Sequence, residues 1–206
     1  WQDGSVAEPP GWPHNRRMRE RSSIDSAEYM LFETALGVCG IAWSVAGLLR
    51  VQLPDRDAAA TAARLSRTAR RAGGAVPALA TDAAERLADY ASGRSVDFSD
   101  IVLDFEGIAA FETTVYHALR KVPRGSTVTY GELAGLAGSP GAAQAVGTAM
   151  ARNPWPVVVP CHRVLAAGNK PGGFSAPGGL VTKAKLLAME GVHLDGGEPM
   201  LPGLFD

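Results

Sequence analysis

The segment Asn153-Pro154-Trp155-Pro156-Val157-Val158-Val159-Pro160-Cys161-His162-Arg163-Val164 sets one cysteine directly before a histidine and an arginine, at the end of an apolar run. A thiol is a useful nucleophile only as its thiolate, and an adjacent imidazole or guanidinium, or a helix N-terminus, lowers its pKa. Cys161 has two of these helpers as its next neighbours, so the chemistry to expect is nucleophilic attack by sulfur. The valine run predicts a short strand carrying the nucleophile. Neighbours on a strand point to opposite faces, so direct contact between the thiol and His162 needs a bend here.

The other cysteine, Cys39, lies in Leu36-Gly37-Val38-Cys39-Gly40-Ile41-Ala42-Trp43 and reads as a small buried thiol, not as a disulfide partner. The four histidines, His14, His117, His162 and His193, are scattered, and no Cys-x-x-Cys or His-x-x-x-His spacing occurs, so no metal site is expected. No phosphate loop or dinucleotide fingerprint is present, and no cofactor is expected.

The chain has 206 residues, 46% of them hydrophobic, and a formal net charge of -1, enough for one large domain or two small ones. A near-zero charge excludes a polybasic nucleic-acid binder, so any affinity for DNA should be modest and local. No apolar run approaches the roughly 20 residues that cross a bilayer, and the N-terminus has no signal-peptide core; a cytoplasmic location without membrane association is expected.

Four segments position the cysteine. Residues 1–26, rich in Pro, Gly and Arg, read as a disordered extension, and Met18 is an alternative start. Residues 27–108 read as a small α/β domain. Tyr29–Phe32, Val38–Val45 and Leu48–Leu53 predict an antiparallel sheet, Asp55–Ala72 and Thr81–Ser92 predict helices, and Ile101–Phe105 returns to the sheet. Arg64, Arg67, Arg70 and Arg71 read as a solvated helix face, with a phosphate-binding stripe as the alternative.

Residues 109–192 read as a second, mostly helical domain. Phe111, Val115 and Leu119 share a helical stripe; Thr129 and Glu132 form a capping box opening a helix over Tyr130–Ala137; Gly138 ends it. Ser139 and Pro140 suit the start of a helix over Gly141–Ala151, completing a helix-turn-helix. Residues 193–206 form an acidic, apolar tail. The fold class is α+β: a small sheet-plus-helices domain, then a helical domain with a helix-turn-helix and a short strand bearing Cys161.

The second helix of that pair is made of small residues, with Gln144 its one long polar side chain. Major-groove readers need several long polar side chains, whereas small ones let a backbone approach the minor groove closely. A buried helix would have the same composition.

These residues resemble the O6-alkylguanine-DNA alkyltransferases. The likeness is carried by Tyr130, Ala145-Val146-Gly147, Asn153-Pro154, Pro160-Cys161-His162-Arg163-Val164 and Lys183 through Glu190-Gly191, and spans Phe111 to Gly191. The resemblance implies a partner, double-stranded DNA bearing O6-alkylguanine, with O4-alkylthymine as a further substrate, approached from the minor groove with the damaged base turned out of the stack. It implies that Cys161 accepts the alkyl group once and is consumed, that His162 acts through a water as base, and that Glu190 orients His162. Tyr130 would protonate the leaving guanine, Asn153 would fix the turn before the nucleophile, and Arg163 would make structural hydrogen bonds.

The DNA and base contacts it implies fall on Ala142, Ala143, Gln144, Gly147, Arg152, Phe174 and Ser175. The last two sit in a lid over Gly172–Gly179 that is longer than the family pattern, and Phe174 stands where many members carry tyrosine. Gln144 stands where the family usually places an inserting arginine, which predicts weaker capture of lesions in duplex DNA. The protein would act without cofactor, as a monomer. Competing readings are an alkyltransferase-like protein that binds the lesion without repair, a thiol hydrolase using Cys161 and His162, and a helix-turn-helix regulator. The presence of Cys161 counts against the first, the strand geometry against the second, and the small-residue helix against the third.

Overall fold

The computed structural model describes residues 26–194. The expectations for a disordered extension, for Met18 as a start and for most of the C-terminal tail lie outside the described residues.

Glu28–Thr34 (β1), Gly37–Trp43 (β2) and Leu48–Gln52 (β3) pair antiparallel, and Arg70–Arg71 (β4) adds to β1 in parallel, giving the order β3-β2-β1-β4. The β1–β2 register runs from Glu28 opposite Trp43 to Thr34 opposite Gly37. Period-two alternation sends Cys39, Ile41 and Trp43 into the main core and Ala42 to the other face, against Leu65 of helix α1, Ala58–Leu65. Gly40 permits that packing, since a Cβ there would lie 2.4 Å from a methyl of Leu65 and 2.8 Å from one of Leu31.

The expected helix over Asp55–Ala72 is shorter in the structure. Asp57 caps it by accepting from Ala60 N at 2.7 Å, and it ends at Leu65. Arg64 alone of the four arginines lies on it; Arg67 is in the following turn and Arg70 and Arg71 form β4. Ser66 and Thr68 return their hydroxyls to the carbonyls of Ala63 and Leu65, the local competition that ends helices at such residues. Helix α2, Ala78–Ala91, buries Ala80, Ala83, Ala84, Leu87 and Tyr90 on one face. The segment over Ile101–Phe105 does not rejoin the sheet as a strand; it makes one bridge, Leu48 with Leu103.

The second half contains helices Ala110–Leu119 (α3), Tyr130–Leu136 (α4), Ala143–Arg152 (α5) and Gly179–Met189 (α6), with a two-stranded parallel ladder of Val128–Thr129 (β5) and Val164–Leu165 (β6). The capping box is present: Thr129 Oγ1 accepts from Glu132 N at 3.2 Å, and the Glu132 carboxylate accepts from Thr129 N at 2.7 Å. Gly138, at φ +72°, turns the chain out of α4. Helix α5 starts two residues later than expected because Ser139 serves a backbone turn, accepting from Ala142 N through its carbonyl at 3.1 Å, and gives no side-chain cap. The fold is α+β, a small sheet with helices followed by a mainly helical half.

One apolar cluster runs through both halves. Trp155, fully buried, donates its indole N–H to the Leu48 carbonyl at 2.7 Å, and Val51 N donates to the Pro154 carbonyl at 2.8 Å. The N-terminal sheet thereby fixes the loop that leads to Cys161. Trp155 also meets Tyr116 edge to face at 5.8 Å between centroids, and removing such a ring costs about 3–5 kcal/mol.

Candidate active site

The approach to Cys161 is not the strand that the valines predicted. After α5 the chain folds into a tight loop in which Asn153 Nδ2 donates to the Val159 carbonyl at 2.8 Å and Asn153 Oδ1 accepts from Trp155 N at 3.0 Å. Val157 sits at φ +75°, a left-handed conformation strained for a β-branched residue and held by that clamp. Cys161–Arg163 is then a single 3-10 turn, and only Val164–Leu165 pairs as a strand. Local β-propensity loses here to Pro154, Pro156 and Pro160, which cannot donate to a ladder. The turn supplies the bend that neighbouring thiol and imidazole need in order to serve one site from different sides.

His162 is fully buried, with Nε2 2.9 Å from Glu190 Oε1. Glu190 ends the chain's run through α6 and is buried too. Arg163 grips it in two places, Nε to Oε2 and Nη2 to Oε1, both at 2.8 Å, and its Nη1 donates to the Val122 carbonyl at 2.6 Å. Burial works to raise the Glu190 pKa, but the hydrogen bonds from His162 and Arg163 outweigh it and hold the carboxyl well below the usual range. Burial lowers the His162 pKa, with Glu190 only partly opposing, so the imidazole is neutral at neutral pH. Facing an ionised carboxylate, Nε2 carries the proton, and Nδ1, buried without a hydrogen-bond partner among the described residues, is left as the acceptor.

Cys161 is buried, and burial pushes its thiol pKa up; the Asn153 side chain, then the charge of Lys183, oppose that rise. The resting group is therefore a thiol, and the adjacent residues in sequence do not by themselves make it a thiolate. Lys183 is fully buried, donates to the Val164 carbonyl at 2.5 Å, and has its pKa drawn down to about 8 by burial.

Cys161 lines two cavities. One, of about 230 Å³, is walled by Tyr130, Gly147, Met150, Phe174 and Ser175. Tyr130 keeps its phenolic proton because burial raises its pKa. Gly172 is at φ +63°, and a Cβ there would stand 3.1 Å from the Tyr130 ring, so glycine lets the lid close on this tyrosine. The second cavity, of about 320 Å³, reaches from Cys161 to the N-terminal sheet.

The residues assigned from sequence thus fall into three places. Cys161, Tyr130, Gly147, Phe174 and Ser175 meet around the smaller cavity; His162, Arg163 and Glu190 form a buried cluster behind it, with Asn153 clamping the loop between. Ala142, Ala143 and Gln144 line neither cavity and lie at the start of α5, where Gln144 is exposed; Arg152, also exposed, borders the larger cavity.

Sequence reasoning missed Tyr90. Its hydroxyl donates to Glu190 Oε1 at 2.7 Å and lies 3.3 Å from His162 Nε2, so a helix of the N-terminal half reaches the histidine–carboxylate pair. Arg124 stacks over the Tyr90 ring at 5.6 Å and donates to the carbonyl of Met189. The available signal was a tyrosine on the apolar stripe of Ala80, Ala83 and Leu87, since a buried phenol seeks a partner for its hydroxyl.

Among the described residues no cluster of side chains suits a metal ion, and no helix is long and apolar enough to cross a membrane. The model of the 6-O-methylguanine DNA methyltransferase DNA-binding domain matches residues 110–192. A methylated-DNA–protein-cysteine methyltransferase of Methanothermobacter thermautotrophicus is 43% identical over 107 residues, 52% of this chain and 58% of that protein, so the match spans under two thirds of its length. The Methanosarcina acetivorans protein of the same name is 43% identical over 110 residues, covering 53% of this chain and 68% of its own. The crystal structure of Mycobacterium tuberculosis OGT in complex with DNA superimposes with a TM-score of 0.65 at 32% identity, covering 80% of this chain and 93% of that one. The chain belongs to the 6-O-methylguanine DNA methyltransferase family.

Proposed function

We propose that this protein repairs alkylated DNA by moving the alkyl group from O6 of guanine to Cys161, once per molecule. The observation that carries the reading is that Cys161 forms a wall of a cavity bounded by Tyr130 and Phe174 while the buried His162–Glu190–Arg163 cluster stands behind it. A flipped guanine fits between the aromatic side chain of the lid and the glycine-faced helix α5.

His162 Nδ1, acting through a water, takes the thiol proton, and Glu190, held ionised by Arg163, stabilises the imidazolium that forms. The sulfur attacks the alkyl carbon as the bond to O6 breaks. Tyr130 supplies a proton to the guanine ring, so the leaving group departs neutral. A thioether is stable at neutral pH, which makes the transfer stoichiometric. Gly147 lets the base approach α5, Ser175 meets its O6 edge, and Ala142, Ala143, Gln144 and Arg152 face the minor groove of double-stranded DNA. The protein acts as a monomer in the cytoplasm.

The test is intact mass and peptide mapping after incubation with a duplex holding one O6-methylguanine. One added methyl group on Cys161, with guanine restored in the DNA, is the expected result. Tight binding without any mass change would overturn the reading and make this a lesion-binding protein.

A further inference from the structure

The larger cavity carries two charges, on Arg50 and Arg64, that the transfer of a methyl group does not use. It continues past Cys161 from the base cavity, sharing Ala151 and Ser175 with it, and its charged lining consists of Arg50 on β3, Arg64 on α1 and Arg152 at the end of α5, with no carboxylate. Arg64 pairs with Asp55, and Arg152 with Glu112 at 3.2 Å, both partners outside the lining. Arg50 differs from them: among the described residues no carboxylate pairs with it, and its buried Nε has no hydrogen-bond partner. A guanidinium on a cavity wall with no carboxylate beside it is open to an anionic acceptor placed in that cavity. Burial lowers the pKa of Arg50, and the neighbouring charges of Arg64 and Arg67 add to that effect.

We propose that this cavity receives the tail of the O6 substituent and selects tails that end in a carboxylate, Arg50 being the specificity-determining residue. The inference rests on the alkyl-transfer reading given above. With guanine in the Tyr130 and Phe174 cavity and its O6 carbon at the thiol, the part of the ligand that continues beyond Cys161 is the substituent. The backbone phosphates leave from the opposite, glycosidic side of the base. Pro156 and Ala176 give the same cavity an apolar part of its wall, suited to a methylene chain, and the arginines give it the charged part.

An acid tail would otherwise repel the forming thiolate, and the guanidinium removes that penalty. The step itself is unchanged: the Cys161 S–C bond forms, the C–O6 bond breaks, its electron pair stays on guanine O6, and the ring takes a proton. The product is an S-(carboxyalkyl)cysteine.

The test compares transfer to Cys161 from O6-(4-carboxybutyl)guanine and from the neutral O6-(4-carbamoylbutyl)guanine, each as the free base and in a duplex, with O6-methylguanine duplex as control. The acid is expected to react at least tenfold faster than the amide in both forms, with the preference shrinking as salt is raised. Arg50→Met should bring the ratio to within twofold and leave methyl transfer nearly unchanged, while Arg50→Lys keeps part of it. Equal rates for acid and amide in the unmodified protein overturn the proposal, and this ratio decides even where Arg50→Met does not fold. Slowing by Arg50→Met of every duplex substrate, with no effect on free bases, also overturns it and assigns Arg50 to a backbone phosphate. Absence of methyl transfer would sink the underlying reading as well, so the two failures are distinct.

Discussion

Changing Tyr90 to Phe removes one oxygen and keeps the ring that packs on Phe98 at 6.0 Å and under Arg124. Glu190 Oε1 then loses a 2.7 Å donor but keeps Arg163 and His162, while Oε2 keeps Arg163. A hydrogen bond to an ionised group contributes about 1.5–3 kcal/mol, and because the carboxylate remains well served the loss should fall near about 1.5–2 kcal/mol. For a chain of this size each kcal/mol moves the Tm by roughly 2–4 °C, so a fall of about 3–8 °C is expected.

The same change has a chemical signature that a purely structural hydroxyl would lack. With one donor fewer, the Glu190 charge is less neutralised and favours the imidazolium more, so the His162 pKa rises. The acid limb of the rate of transfer to Cys161 therefore moves to higher pH. Urea unfolding gives the stability, and single-turnover rates between pH 5 and 8 give the limb. A variant within 0.5 kcal/mol of the parent, with an unmoved limb, would refute the role given to this hydroxyl.

Acid should unfold the protein in two stages. The folded pKa of His162 is depressed, so the unfolded state takes up its proton first and stability starts to fall below the unfolded value of 6.5. Glu190 is depressed as well, so its contribution is complete above the unfolded value of 4.5 and is lost as pH falls below it toward the folded value; a urea midpoint constant from pH 7 to 3.5 would contradict both assignments. Asn153→Ala removes the clamp that holds Val157 at positive φ and takes the acceptor from Trp155 N, while the Val159 carbonyl keeps Cys161 N at 2.8 Å, which should cost about 1–3 kcal/mol. Its transfer rate should drop even where chemical denaturation shows it fully folded, and an unchanged rate would dissociate the loop from the thiol. Gln144→Arg, at an exposed position of α5, should speed transfer from a damaged duplex while leaving transfer from the free base alone; equal effects on both would remove Gln144 from the DNA face.

What the sequence disclosed, and what it hid, divide by the range of the forces involved. The capping box at Thr129 and Glu132, the glycine that ends α4 and the hairpin of β1 and β2 were legible because each is settled by residues a few positions apart. The loop before Cys161 was misread as a strand because three valines outvoted three prolines in a local reckoning, whereas the fold is decided by Asn153 and by contacts of Trp155 and Val51 with the distant partner half.

Tyr90 was invisible for the same reason, lying 100 positions from the carboxylate it serves. The thiol makes the strongest case. Read locally, the neighbouring histidine and arginine promised a depressed pKa; in the folded protein Arg163 spends its charge on Glu190, His162 faces the same carboxylate, and burial raises the thiol instead. A Cys161 kept protonated at rest is protected from oxidation and stray electrophiles, since those react with the thiolate. On the proposed reading, activation falls to the moment when a base fills the adjoining cavity, which suits an acceptor that reacts only once.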